Sequence, residues 1–142
     1  MRRSQDGQAT LEMVVILLVM SLVFWLFELS MFTYTCSVLN SATREGVRYA
    51  TLHGADSSVC SGPDTSCTDQ SPYSNVQAVV TSAASVSLHN LSAMTVTVAY
   101  SNNTAAVGNP VTVKVAYTYV PYVNLPGLQN SVTFISQGEI LY

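Results

Sequence analysis

Two carboxylates stand where carboxylates are costly. Glu12 and Glu28 bracket residues 13–27, MVVILLVMSLVFWLF, in which Ser21 is the sole polar side chain. A carboxylate carried into hydrocarbon costs roughly 2.5–3.5 kcal/mol, and less near the interface. Glu12 therefore needs a compensating partner, or else it is simply an acid favoured by the positive end of a helix. Gly7 lies five positions before Glu12 and closes a polar basic leader, MRRSQDG. A glycine at that point lets an extended backbone approach another molecule closely.

The cysteines offer redox chemistry. Cys60 and Cys67 flank a short polar loop, SGPDTS. Two cysteines at this spacing without others are not a zinc signature; in an oxidising compartment they most simply form a disulfide. Closing so small a loop is worth about 2–3 kcal/mol on chain-entropy grounds. Cys36 is left over and reads as a small buried hydrophobe, with intermolecular pairing as the alternative. His53 and His89 have no acidic or cysteine partner at metal spacing, so no metal is expected. No phosphate loop, nucleophile elbow or metalloprotease motif occurs, and neither an enzyme nor a cofactor is expected. The basic residues Arg2, Arg3, Arg44, Arg48 and Lys114 form no stripe, and the net charge is −3. Nucleic-acid binding is not expected.

The elements that must position these groups follow from composition and periodicity. Only 9% of residues are charged and 49% are hydrophobic, against roughly 25% charged in ordinary soluble proteins. From Leu11 to Tyr34 the chain is apolar enough to cross a hydrocarbon core of about 30 Å, with no Pro or Gly to break a helix. This run exceeds the roughly 7–15 residues of a cleaved signal, so a retained helix is expected. Arg2 and Arg3 place the N-terminus in the cytoplasm by the positive-inside rule. The helix is expected over residues 8–53, about 65–70 Å long. Past the membrane it keeps one apolar face of Val38, Leu39, Ala42, Gly46, Tyr49 and Ala50, and Gly54 is a natural stop. Residues 54–72 read as a loop and 73–142 as a small exported domain. Ser71 and Pro72 suit the cap and first position of a second helix, with an apolar stripe of Val76, Val79, Val80, Ala83, Ala84 and Leu88 and a stop near Asn90. Alternation predicts strands over Met94 to Tyr100 and over Val111 to Tyr119, joined by a loose tip. A third strand is expected over about 131–142, with Val132 and Phe134 inward and Gly138 marking a bulge or kink. The tyrosines at 100, 117, 119, 122 and 142 are read as sheet packing. The expected fold class is α+β: a spine helix, one further helix and a three-stranded antiparallel sheet.

Two segments resemble a known family. Gly7 followed by Gln8-Ala9-Thr10-Leu11-Glu12 and an apolar helix resembles a type IV prepilin processing site. Residues 42–50, Ala-Thr-Arg-Glu-Gly-Val-Arg-Tyr-Ala, resemble the signature of TadE-like proteins, the minor pseudopilins of tight-adherence (Flp-type) pilus systems. The resemblance extends over residues 7–54. Major pilins usually carry Phe directly after the glycine, where this chain has Gln8.

The resemblance implies cleavage between Gly7 and Gln8 by a membrane prepilin peptidase, leaving a 1–7 leader behind. Glu12 would set subunit register by meeting the free α-amine of a neighbouring subunit. Arg44, Glu45, Gly46 and Arg48 would dock the spine onto the domain; the bland reading of the charges is a solvated helix face. The implied partners are the peptidase, other pilins and pseudopilins, the inner-membrane assembly platform and membrane lipid. Glu28, near the outer interface, snorkels or pairs across a filament. The alternatives are an uncleaved membrane-anchored interaction domain, and a secreted binding module cut near Ser37.

Overall fold

A computed structural model of the chain describes residues 3–86, 88, 90–122 and 130–141, apart from the side chains of 3–6 and 130. Met1, Arg2, His89, Tyr142 and the proline-containing stretch 123–129 lie outside the described residues.

Helix α1 spans Arg3–Leu52 without interruption. It begins inside the expected leader, so Gly7 is helical and not extended. Helix α2 spans Ser74–Ser85. Strands β1 (Met94–Tyr100), β2 (Pro110–Tyr119) and β3 (Asn130–Glu139) form one antiparallel sheet in that order. The α+β class and its parts are those the sequence predicts.

The core forms where α1, α2 and the sheet meet. Leu39, Ala42, Val47 and Ala50 face it from α1, with Thr43 buried among them. Thr43 avoids a polar penalty because its hydroxyl donates to the Leu39 carbonyl at 2.6 Å. From α2 come Val76, Val80 and Ala84, and Leu88 follows just beyond its end. The stripe is the expected one, with Val79 and Ala83 on its half-buried margin. β2 is the central strand and contributes Val111, Val113, Val115, Tyr117 and Tyr119. Its alternate residues turn away from the core, as the period of two requires.

Two glycines set how closely these layers approach. A Cβ on Gly46 would collide with Cγ2 of Val80 and lie 3.4 Å from Cγ1 of Val113. Gly46 therefore lets α1 touch both α2 and the sheet. Gly138 is no bulge: it pairs in register with Val111, and Pro110 pairs with Glu139 next to it. A Cβ there would lie 2.6 Å from Cγ1 of Val47 and 2.8 Å from Cγ2 of Thr51, so its smallness serves the helix passing over it.

Several boundaries differ from expectation. Strand β3 stops at Glu139, and Ile140 turns into the core. Helix α2 ends at Ser85, before Asn90. The stop after α1 is not a left-handed glycine, since Gly108 is the one glycine with positive φ among the described residues. Carbonyls at and just past the end of α1 are instead taken up by tertiary partners. Leu141 N–H donates to the Thr51 carbonyl at 2.9 Å and Ser61 N–H to the His53 carbonyl at 2.8 Å. The β1–β2 tip is not loose either: Gly108 N–H donates to the Ile140 carbonyl at 2.9 Å, and Ala55 N–H to the Ala105 carbonyl at 3.0 Å.

Candidate anchoring and assembly site

The first half of α1 stands free of the domain. Every residue from Gly7 to Phe27 is exposed, although most are large and apolar. By length and composition this helix could cross a membrane. A Cβ on Gly7 would meet nothing within 4 Å beyond its own helix backbone, and Gln8 lies one turn before Glu12, its Nε2 donating to the Glu12 carboxylate at 3.5 Å. Gly7, Gln8 and Glu12 are thus accessible on one isolated stretch, and the domain supplies none of their contacts.

Contact with the domain begins at Glu28. Its Oε1 accepts from the Tyr119 hydroxyl at 2.8 Å and from the Tyr122 backbone N–H at 3.0 Å. One turn on, Phe32 meets the Tyr119 ring edge-on at 5.2 Å between centroids. Burial, and then the hydrogen bond to Glu28, raise the Tyr119 hydroxyl well above the ordinary tyrosine range. Glu28 Oε2 is buried and has no hydrogen-bond donor among the described residues. Sequence reading placed Glu28 near an interface and left its partner open. That partner is 91 residues away, and nothing local announces it.

This junction shortens the free span. Leu11 to Tyr34 was expected to serve as the apolar crossing, but the domain already grips α1 from Glu28 onward. Residues 7–27 remain, about 31 Å of helix at ~1.5 Å per residue, against a hydrocarbon core of ~30 Å.

At the far end of α1 the signature residues separate by face. Gly46 is on the docking face. Arg44, Glu45 and Arg48 are exposed, and the Arg48–Glu45 pair spans 3.7 Å with both side chains at least half solvated. Such exposed pairs contribute about 0–1 kcal/mol. The apolar face around Gly46 does the docking, and the charges are a solvated face. His53 stacks on Tyr49 at 3.9 Å, and its Nδ1 lies 2.9 Å from the Tyr49 carbonyl. No cluster able to hold a metal occurs among the described residues. Cys36 is a half-buried free thiol.

The loop after α1 is a clasp. Cys60 and Cys67 are joined by a disulfide, as expected. Within and beside that loop, four elements are tied together. The Tyr100 hydroxyl, at the end of β1, donates to the Ser61 carbonyl. Asp64 accepts from Ala105 N–H at 2.7 Å and from the Thr104 hydroxyl at 3.2 Å. Asp69 accepts from the Ser61 hydroxyl and from the Ser74 hydroxyl and N–H, all at 2.8 Å, and from Asn75 N–H at 2.8 Å. Asp69 is therefore the N-terminal cap of α2, the role expected of Ser71. Tyr73, in a left-handed conformation, stands at the cap position with no side-chain bond of its own. Burial is the largest single influence on Asp69 and pushes its carboxyl up. The Asn75 N–H, the Ser61 and Ser74 hydroxyls and the Ser74 N–H outweigh it and hold the group below the ordinary carboxylate range. Burial pushes the Tyr100 hydroxyl up to about 12.

A free apolar half-helix continuous with a domain-clasped half defines an α+β protein whose N-terminal helix could cross a membrane. Residues 7–48 match the family model described as TadE-like protein, which bears out the resemblance drawn from the sequence. The matched segment runs from Gly7 to Arg48, into the signature at the domain-docking end of α1. No curated protein and no solved structure matches the chain.

Proposed function

We propose that this chain is a minor pseudopilin, anchored by α1 with its N-terminus in the cytoplasm and its domain outside. A prepilin peptidase cuts it between Gly7 and Gln8, and it then enters or primes a tight-adherence pilus. The observation that carries this reading is the division of α1. Gly7, Gln8 and Glu12 lie on a free apolar half-helix, and the TadE-like match begins at Gly7.

The division suits processing. Glycine in a helix interior costs about 0.5–1 kcal/mol relative to alanine, so the backbone opens most readily at Gly7 to enter a peptidase as an extended strand. After the cut, Gln8 bears the new α-amine one turn from Glu12. The carboxylate of one subunit can then meet the amine of the next, which lowers the cost of placing both in apolar surroundings and fixes axial register. Helices of other pilins and the assembly platform cover the exposed apolar surface. The role is structural, without catalysis or cofactor.

The alternative of cleavage near Ser37 would remove Glu28 and Phe32, both of which contact the domain. An uncleaved anchor remains the second reading, and the mass of the membrane-extracted protein separates the two. A mature chain starting at Gln8, and a full-length chain when Gly7 is replaced by a bulky residue, are expected. A start at Met1 in cells with an active peptidase would leave only the anchor.

A further inference from the structure

The two edges of the sheet differ. Along an antiparallel strand, successive residues send their N–H and C=O alternately to one side and to the other. On β1 the Val96 carbonyl accepts from Gln77 Nε2 of α2 at 3.3 Å, so that edge is met by a side chain of its own domain. At the end of β3, Ile140 N–H donates to the Asn109 carbonyl at 3.0 Å, and Leu141 N–H to the Thr51 carbonyl at 2.9 Å. Ile140 therefore faces the β2 side and Leu141 the outer side. Carried back along the unbroken register of β2 and β3, the alternation turns Val132, Phe134 and Ser136 toward β2, and Ser131, Thr133, Ile135 and Gln137 outward. The outward backbone groups of these last residues meet no partner among the described residues, and all of them are exposed.

Nothing guards this edge. Exposed edge strands ordinarily carry a lysine, a proline or a bulge that deters pairing. Residues 130–138, NSVTFISQG, contain no proline and no charge, and the register has no bulge. Apolar side chains stand on both faces of it. Val132 and Phe134 are half-buried on the core side, and Ile135 is 65% exposed on the other. A row of free N–H and C=O groups at strand spacing is matched by another extended backbone.

We infer that the open edge of β3 takes an extended segment of a different chain. The segment is about seven residues long to span Ser131 to Gln137, uncharged, and alternating, with its apolar side chains beside Val132 and Phe134. A second copy of this chain does not fit. β3 starts opposite Tyr119, which binds Glu28, and ends under Val47 and Thr51, so it climbs in the direction of α1. Antiparallel pairing of β3 with β3 of a second copy would turn the second α1 the opposite way, which two chains anchored in one membrane exclude. Parallel pairing about a two-fold axis would set the same outward residues against each other, N–H facing N–H, without the stagger a parallel ladder needs. The β1 edge of a second copy already holds Gln77. The exclusion of a second copy rests on the anchoring proposed above; the open edge itself does not.

The test follows amide exchange along β3 in the full chain in detergent micelles. The probe is a peptide of alternating valine and threonine with a lysine at each end. Without peptide, the amides of Thr133, Ile135 and Gln137 are expected to exchange fast and those of Phe134 and Ser136 slowly. The peptide is expected to slow the first three at least about tenfold, and the same peptide N-methylated at every residue to leave them unchanged. Thr133→Pro removes an outward N–H and no bond to β2, so it should keep the domain folded and lose the protection. Ile135→Lys repeats the measurement should the proline variant not fold. A peptide that protects nothing, or an N-methylated peptide that protects equally, overturns the inference. Outward amides that slow as the protein is concentrated overturn it in favour of a second copy. Outward amides that are slow at every concentration show that the chain covers its own edge, and overturn it too. Cleavage at Gly7 is expected to be the same in both variants as in the parent, so failure of the edge and failure of the pseudopilin reading are told apart.

Discussion

Asp69 gathers four donors at 2.8 Å from three residues and two elements. Its carboxyl is held below the ordinary range because those bonds favour the charged form more than burial disfavours it. A depressed folded value makes ionised Asp69 a source of stability. That contribution is complete above the unfolded value, about 3.9 for Asp, and is lost as pH falls from there through the folded value. Acid titration of the melting temperature should therefore show a loss starting near pH 4, and Asp69→Asn should flatten it. Asp69→Ala removes the cap of α2 and leaves the buried Ser61 hydroxyl unpaired. A loss of about 2–3 kcal/mol is expected in denaturant melts. An unchanged midpoint would show that α2 is held by its apolar stripe alone. Sequence reading named Ser71 for this task because caps are sought next to the helix they close. Asp69 reaches α2 from five residues upstream, and that reach depends on how the clasp folds.

At the scale of elements, the legible parts are those with a period. Residues 94–100 and 111–119 alternate over the whole length of their strands, and 76–88 repeat at helical spacing, so β1, β2 and α2 could be read directly. Gly138 could not. A glycine in a strand signals either a bulge or a close approach, and only the position of Val47 and Thr51 over it decides. Arg44, Glu45 and Arg48 stand out as a motif, yet the Gly46 between them carries the docking. Gly46→Ala and Gly138→Ala each introduce a methyl against β-branched side chains that have little freedom to move. Each is expected to cost about 1–3 kcal/mol, while Gly7→Ala, with open space around it, should leave the domain's melting unchanged. The clasp is an element of its own. Reducing Cys60–Cys67, or replacing both by Ser, should lower stability by about 2–3 kcal/mol. Because Ser61 and Asp69 belong to the same loop, amides of Ser74 and Asn75 should exchange faster in the reduced protein. Exchange that stays the same would separate the disulfide from the α2 cap.

For the molecule as a whole, the decisive join is where the free half of α1 becomes the clasped half. Glu28 makes it with one oxygen, shared by the Tyr119 hydroxyl and the Tyr122 N–H, and Phe32 backs it on the Tyr119 ring. Hydrogen bonds to a charged group contribute about 1.5–3 kcal/mol net when buried; Glu28 is half-exposed, so the lower end of that range applies. Glu28→Ala removes both bonds and should free the end of β2 from the helix, exposing the Tyr122 amide to exchange. Glu28→Gln keeps an oxygen for both donors but puts an amide where Oε2 is buried without a donor, so it should keep the Tyr122 amide protected at some cost in stability. Tyr119→Phe should reproduce about half of the alanine effect, and the two should combine less than additively because they share one interaction. The exchange rate of the Tyr122 amide across these three variants decides the matter. If the rate is the same in Glu28→Ala as in the parent, Glu28 does not set where the domain begins, and the length of helix left for the membrane must be fixed by Phe32 and the residues above it.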